Sequence, residues 1–147
     1  MIKVGHVVVA GELGGAEHML RDLVRDSPAL AHVVCVLSPI EALPRFFADA
    51  GIRVRDGGRV REDPFSATVR AFGSSAVKWL ESTLREERVS VVHLHTFGSQ
   101  VIGTRAARRL RLPVVRTEHS TRVYDDPFCW PFSRYSLLRA AAVVAIS

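Results

Sequence analysis

Three short segments combine glycines, histidines, hydroxyls and carboxylates that could bind an anion, move a proton or accept a hydrogen bond: GELGGAE (11–17), HTFGS (95–99) and TEHS (117–120). Glycines at the start of a helix let the chain turn sharply and bring backbone N–H groups close to a ligand. The helix N-terminus then favours negative charge such as phosphate. Gly14 and Gly15 are placed for that role, or for a tight turn in which Glu17 serves the first helical turn. His119 follows an apolar run and can donate, accept or carry charge near neutrality. His93 and His95 alternate along one run and point to the same face. His93 reads as a satisfied core histidine. His95, nearer the end of the run, reads equally as core or as ligand-facing. A zinc set of His95, Glu118 and His119 has no diagnostic spacing, so no metal is expected. No Ser-His-Asp arrangement stands out, and Asp125 and Asp126 have no placed partner. The first loop is neither the G-x-G-x-x-G fingerprint nor a P-loop, and Leu37 is followed by Ser38 and Pro39 rather than a ribose-binding acid.

The elements that must position these segments are legible as valine-rich runs. Strands are expected over 4–9, 32–37, 89–94, 112–116 and 142–146, with a weaker one near 52–54. Runs without polar alternation suggest strands covered on both faces, as in a parallel sheet. Between them, Ala16, Leu20, Leu23 and Val24 form one helical stripe, and Val69, Phe72, Ala76, Leu80 and Leu84 a second, with Asp63–Pro64 as its cap. Ile102, Ala106 and Leu110 form a third stripe, backed by Arg105, Arg108 and Arg109, and a fourth helix is expected over 133–141. Residues 40–64, broken by Pro44, Gly51, Gly57 and Gly58, read as a partly solvated excursion carrying RVRDGGRVR. Strands alternating with helices imply right-handed crossovers and a doubly wound parallel sheet with helices on both faces. In such sheets ligands bind beyond the carboxyl ends of the strands where strand order reverses. The three segments above all fall on that edge.

Composition narrows the class. The chain has 147 residues, 48% hydrophobic and 24% charged, enough for one domain with its own core. This excludes a disordered tail, a collagen-like repeat and a disulfide-stapled mini-protein. Cys35 lies in HVVCVL and reads as a small buried hydrophobe, and Cys129 is remote from it. His6 interrupts the first apolar run and no small-residue cleavage pattern follows, so that run is expected to be a strand and not a leader. No stretch of 18 apolar residues occurs, and the expected compartment is the cytoplasm. Net charge is +5, with Lys3 and Lys78 the only lysines among 20 basic residues. Few aromatics interleave with the arginines, so no nucleic acid is expected as a partner.

GELGGAEHMLRDLV, VSVVHLHTFGSQVIGTRAARRLRLPVVRTEHS and the closing AAAVVAIS together resemble the N-terminal domain of retaining glycosyltransferases of family 4, which have the GT-B fold. The resemblance covers nearly the whole chain. It implies a Rossmann-like domain, over residues 1–147, that forms one half of a GT-B architecture and holds the acceptor. A second domain binding the UDP- or GDP-linked sugar donor would be absent from this chain, leaving the fragment inactive alone. It implies transfer with retention of configuration, no resident cofactor or metal, and a nucleotide-diphosphate sugar as donor substrate. His119 would be the catalytic histidine approaching the donor sugar. Gly14, Gly15, Glu17, His95, Ser99 and Glu118 would bind substrate, with Glu17 supporting its loop.

Many relatives act on lipid-linked acceptors at the inner membrane face. Phe46, Phe47, Arg53, Arg55, Arg59 and Arg61 therefore suggest a docking surface for anionic membrane, and Phe128, Trp130 and Phe132 a second apolar cluster; equally, these aromatics pack in the core or against the second domain. The competing classes are a Rossmann-like nucleotide-binding enzyme and a non-catalytic module that binds an anionic partner.

Overall fold

A computed structural model of the chain describes residues 1–58, 73–119 and 125–146. Six parallel strands form one sheet in the order β3-β2-β1-β4-β5-β6. They are β1 (Lys3–Val8), β2 (Ala31–Val36), β3 (Val54–Asp56), β4 (Val91–Leu94), β5 (Val114–Glu118) and β6 (Ala142–Ala145). The helices are α1 (Gly15–Arg25), α2 (Ala42–Asp49), α3 (Ser75–Glu86), α4 (Phe97–Leu110) and α5 (Trp130–Leu137). Strand order runs outward in both directions from β1 and β4, so the reversal lies between them. This is the open, Rossmann-like α/β architecture expected from the alternation of valine runs and helical stripes.

The pleat divides the core into two. Val7, Val9, Val33, Cys35, Val92 and Leu94 pack with Leu80 and Leu84 of α3 and Ile102 and Ala106 of α4. Val8, Ala10, Val34 and Val36 pack on the other face with Leu20 of α1 and Leu43 and Phe47 of α2. Successive strand side chains point to opposite faces, and both faces are roofed by helices, so the strands can be valine throughout. Cys35 is fully buried as expected, and burial pushes its thiol up to about 12.

Four expectations change. Residues 40–64 are not an excursion over their described part, 40–58: they contain α2 and β3. Pro44 falls in the first turn of α2, where its missing N–H leaves no hydrogen bond unmade, so it permits the helix. The weak strand lies at Val54–Asp56, not 52–54. α3 begins at Ser75, while Val69, Phe72 and Asp63–Pro64 lie outside the described residues. The last helix runs Trp130–Leu137, ending four residues before Ala141.

Of the side chains named for the aromatic and basic docking surface, one is taken into the core. Phe47 is fully buried in the core, and Phe46 packs against the same cluster. Arg53 and Arg55 are drawn onto acidic groups at the end of α3. Both donate to Glu87, and Arg55 also donates to Glu86 at 2.7 Å. Lys3 reaches the same Glu87 carboxylate at 2.7 Å, so Lys3 of β1, Arg55 of β3 and Arg53 just before β3 converge on one buried acid. Their hydrogen bonds, Arg53's first, hold the Glu87 carboxyl down at about 2 against the opposing effect of burial. Arg59 and Arg61 lie outside the described residues. In the second apolar cluster Phe128 is exposed, with its ring 5.8 Å from that of Phe132. No described helix is long and apolar enough to cross a membrane.

Candidate active site at the carboxyl edge of the sheet

The loops after β1 and β4 are tied together at the reversal of strand order. Thr96 Oγ1 accepts from the N–H of Val9 at 3.1 Å, and Ser38 Oγ accepts from the N–H of Ala10 at 2.7 Å. These bonds saturate the backbone just beyond the end of β1 and hold the start of the glycine loop in place. α1 then opens at Gly14, whose N–H donates to the Glu17 carboxylate at 2.9 Å. Glu17 is 4% exposed. It therefore performs the helix-cap function, and its charge complements the positive end of the helix. Gly15 is exposed, with open space where a Cβ would lie.

α4 opens with a reciprocal cap. Ser99 Oγ donates to the Thr96 carbonyl at 2.7 Å and lies 3.2 Å from the Thr96 N–H, from which it accepts. Ser99 is fully buried, so its hydroxyl serves the turn that carries His95. Gly98 lies so close to Val9 that a Cβ there would come within 2.7 Å of Val9 Cγ1. The β4–α4 turn thus presses directly on the end of β1.

Glu118 and His119 follow from β5. Glu118 is bound by Arg116, whose side chain is completely buried and reaches the carboxylate through Nε and Nη2. Arg116 also donates through Nη1 to the Ser133 carbonyl at 2.6 Å and through Nη2 to Ser133 Oγ at 2.8 Å. A buried guanidinium needs such a set of acceptors. Here it fastens the end of β5 to α5, three residues before His119 enters solvent. Thr104 and Ser136 are 2.8 Å apart and add a second buried polar link, between α4 and α5. His119 is exposed, its ring 6.2 Å from that of His95. Desolvation pulls its pKa below the usual histidine value, opposed by the charges of Glu17 and Glu118. The described residues of all three segments named from sequence therefore meet on one edge.

The sequence did not reveal the row of histidines behind that edge. His6 of β1 pairs in register with Val34 of β2, two residues beyond His32, and with His93 of β4 on the other side. That register brings rings from β1, β2 and β4 onto one face. His6 Nδ1 lies 3.0 Å from His95 Nε2, and His6 Nε2 lies 3.0 Å from His32 Nδ1. His32 Nε2 is 3.2 Å from the Ser27 carbonyl. His93 Nε2 lies 2.7 Å from Thr117 Oγ1, which supports its reading as a satisfied core histidine. Burial holds His6 and His95 well below the ordinary histidine range and lowers His93 to about 4. His6, His93 and His95 each bring a ring nitrogen within 4.8 Å of the others. By residue type this trio, rather than His95, Glu118 and His119, is the candidate metal set among the described residues. Hydrogen bonds already engage both nitrogens of His6, Nε2 of His95 and Nε2 of His93.

A family model for Glycosyltransferase Family 4 matches residues 13–147. The chain belongs to glycosyltransferase family 4. The match takes in the glycine loop from Leu13 onward, the HTFGS turn and the TEHS segment. Solved structures share the fold at low identity. The Anabaena protein Alr3699/HepE in complex with UDP-glucose is 19% identical with a TM-score of 0.72, covering 97% of this chain and 37% of that one. MurG of Acinetobacter baumannii is 16% identical with a TM-score of 0.65, covering 99% and 41%. A putative UDP-N-acetylglucosamine 2-epimerase from Listeria monocytogenes is 13% identical with a TM-score of 0.69, covering 98% and 39%. The family 4 chain thus spans less than half the length of these structures. No curated protein matches it.

Proposed function

We propose that this family 4 domain is the N-terminal, acceptor-side half of a glycosyltransferase that moves a sugar from a nucleotide-diphosphate sugar to an acceptor with retention of configuration. The acceptor is a lipid-linked sugar or a polysaccharide, and the enzyme works in the cytoplasm or at the inner membrane face. A second domain of the same polypeptide holds the donor nucleotide, no resident cofactor or metal is used, and residues 1–147 alone are inactive. The observation that carries this reading is the family match running through all three segments of the carboxyl edge. The short share of each neighbour that the chain covers supports a two-domain enzyme, and the UDP-glucose in complex with the Anabaena protein supports the donor class.

Within that reading His119 is the catalytic residue. It is exposed at the edge, neutral near pH 7 through desolvation, and able to donate a hydrogen bond to a sugar hydroxyl or leaving oxygen. Gly14, with its N–H held by Glu17, and the open Gly15 let a phosphate or sugar approach the α1 N-terminus. Glu118 contacts substrate beside His119, and His95 lines the acceptor side. Ser99 acts on the substrate only through the turn it caps.

The test is transfer by the longer polypeptide containing this domain, with UDP- and GDP-sugars and a lipid-linked acceptor. Proton NMR of the new anomeric linkage reports its configuration. Retention is expected, with a His119→Ala loss of roughly 10²–10⁴ in kcat, the usual scale for a positioned acid or base. An inverted product overturns the stereochemical assignment. Full activity of His119→Ala removes that residue from catalysis.

A further inference from the structure

The row of rings behind the carboxyl edge contains more hydrogen-bonding information than a packed cluster needs. Its far end is the carbonyl of Ser27, which can only accept, 3.2 Å from His32 Nε2. His32 must therefore place its proton on Nε2, which leaves its Nδ1 as a lone pair. His6 Nε2, 3.0 Å away, must then donate to that lone pair, so His6 Nδ1 is in turn an acceptor. His95 Nε2, 3.0 Å from His6 Nδ1, must supply the next proton. For neutral rings the chain has one consistent solution, each imidazole protonated at Nε2 and each donating toward Ser27. A single carbonyl thus determines which nitrogen of His95, two rings away, is bare.

That bare atom is His95 Nδ1. It is buried and has no hydrogen-bond partner within the described structure. A buried acceptor without a donor is costly, and such orphans are uncommon in folded chains. The ring lies just beyond β4, beside His119 and one residue before the cap that turns the chain into α4. We propose that the Ser27 carbonyl, acting through His32 and His6, locks His95 as an obligate acceptor at Nδ1, and that this atom receives a hydroxyl of the bound carbohydrate. The ligand half of this proposal rests on the glycosyltransferase reading; the relay does not. His32 and His6 are positioning residues in it, since neither reaches the edge itself.

The geometry favours this relay over a metal site formed by His6, His93 and His95. An ion there would displace the proton between His6 and His95, and the bond between His6 and His32 already fixes the outer nitrogen of His6. Burial supports neutral rings at His6 and His95, because it disfavours imidazolium there.

The experiment is long-range 1H–15N NMR of the full 147-residue chain carrying 15N-labelled histidine, near pH 7.5. Nε2–H tautomers are expected at His32, His6 and His95, each present as one species. His32→Leu, which removes the link to Ser27, should leave His6 and His95 as mixtures of two tautomers. His32→Gln can accept through its carbonyl and donate through its amide, and should restore the single form. An Nδ1–H form of His95 in the wild type, or an imidazolium at His32 donating to His6, overturns the relay even if His32→Leu fails to fold. So does an unchanged tautomer in a folded His32→Leu variant. Stoichiometric displacement of the three ring signals by zinc replaces the relay with a metal site. Titration of the longer polypeptide containing this domain, labelled in the same way, with a lipid-linked sugar acceptor then tests the ligand half: a shift of His95 Nδ1 is expected. Shifts elsewhere on the edge that spare His95 remove its ligand role. Shifts nowhere count against the glycosyltransferase reading while leaving the relay intact.

Discussion

Protonating His6, His93 or His95 asks the fold to hold a cation away from water, so these three residues tie stability to acidity. Each has a folded pKa depressed below the unfolded value of about 6.5, and His93 lies at about 4. The unfolded chain therefore binds more protons through the interval below 6.5. Stability is fully present above that pH and is lost as pH falls toward the folded values. His93 alone contributes roughly 3 kcal/mol across the interval from 6.5 to 4. Glu87, held at about 2, adds its own loss only below the usual carboxylate range. The expected result is a urea midpoint that begins to fall below pH 6.5, before the carboxylates titrate. His93→Gln, which can still bond Thr117, should flatten that early slope by about one proton. A midpoint constant from pH 7 to 4.5 would show that the rings meet water freely. His93 was readable in advance because it alternates with His95 on one strand. His6 and His32 were not, since their meeting depends on the register of β1 with β2 and β4 and not on any local spacing.

At the scale of elements, the edge is held by links between loops and helices as much as by the sheet. The buried pair of Arg116 and Glu118, with Ser133, joins β5 to α5 next to His119. Removing one member leaves a buried charge without its partner, a change that costs about 3–5 kcal/mol, whereas removing both is far milder. Glu118→Ala should lower stability by that amount, and adding Arg116→Met should recover much of it, with urea denaturation of the single and double variants as the measurement. Additive losses would mean that the two side chains do not act as a pair. Arg116 escaped the sequence reading because an arginine closing LPVVR looks like the end of a strand. Its acceptor at Ser133 is 17 residues away and visible only once α5 has packed. The strands and most of the helices were legible because valine runs and three-four stripes are local signals. α2 was not, because Pro44 and the nearby glycines mark a break on propensity, while Leu43 and Phe47, four apart and both fully buried, decide the matter through packing. The resemblance of the loop motifs pointed to the family, and the matched range 13–147 bears it out. The roles of Arg53 and Arg55 could not be read locally. Their fate depends on Glu87, more than 30 residues on, which lies buried under β1 and β3.

For the whole molecule, stability should be graded across the sheet rather than uniform. β1 pairs on both sides, and from Gly5 to Val8 it is shielded by core packing from helices on both faces. Among the described residues β6 pairs with β5 alone, and every residue of Ala142–Ala145 is exposed, Val143 at 44% and Val144 at 46%. Opening β6 gives up one ladder and little apolar burial, whereas opening β1 divides the sheet at its centre and breaches both cores. Native-state hydrogen exchange should therefore show β1, β2 and β4 amides exchanging with the global unfolding energy and β6 amides exchanging at much lower cost. An unpaired, apolar edge strand is also a template for another chain. The two effects can be separated by concentration. If β6 protection rises toward that of β1 as the protein is concentrated, copies are pairing through this edge, and Val144→Lys should abolish the rise. Protection equal to that of β1 even at the lowest concentration would mean that β6 is held by contacts beyond its ladder with β5. The graded picture of the sheet would then be wrong.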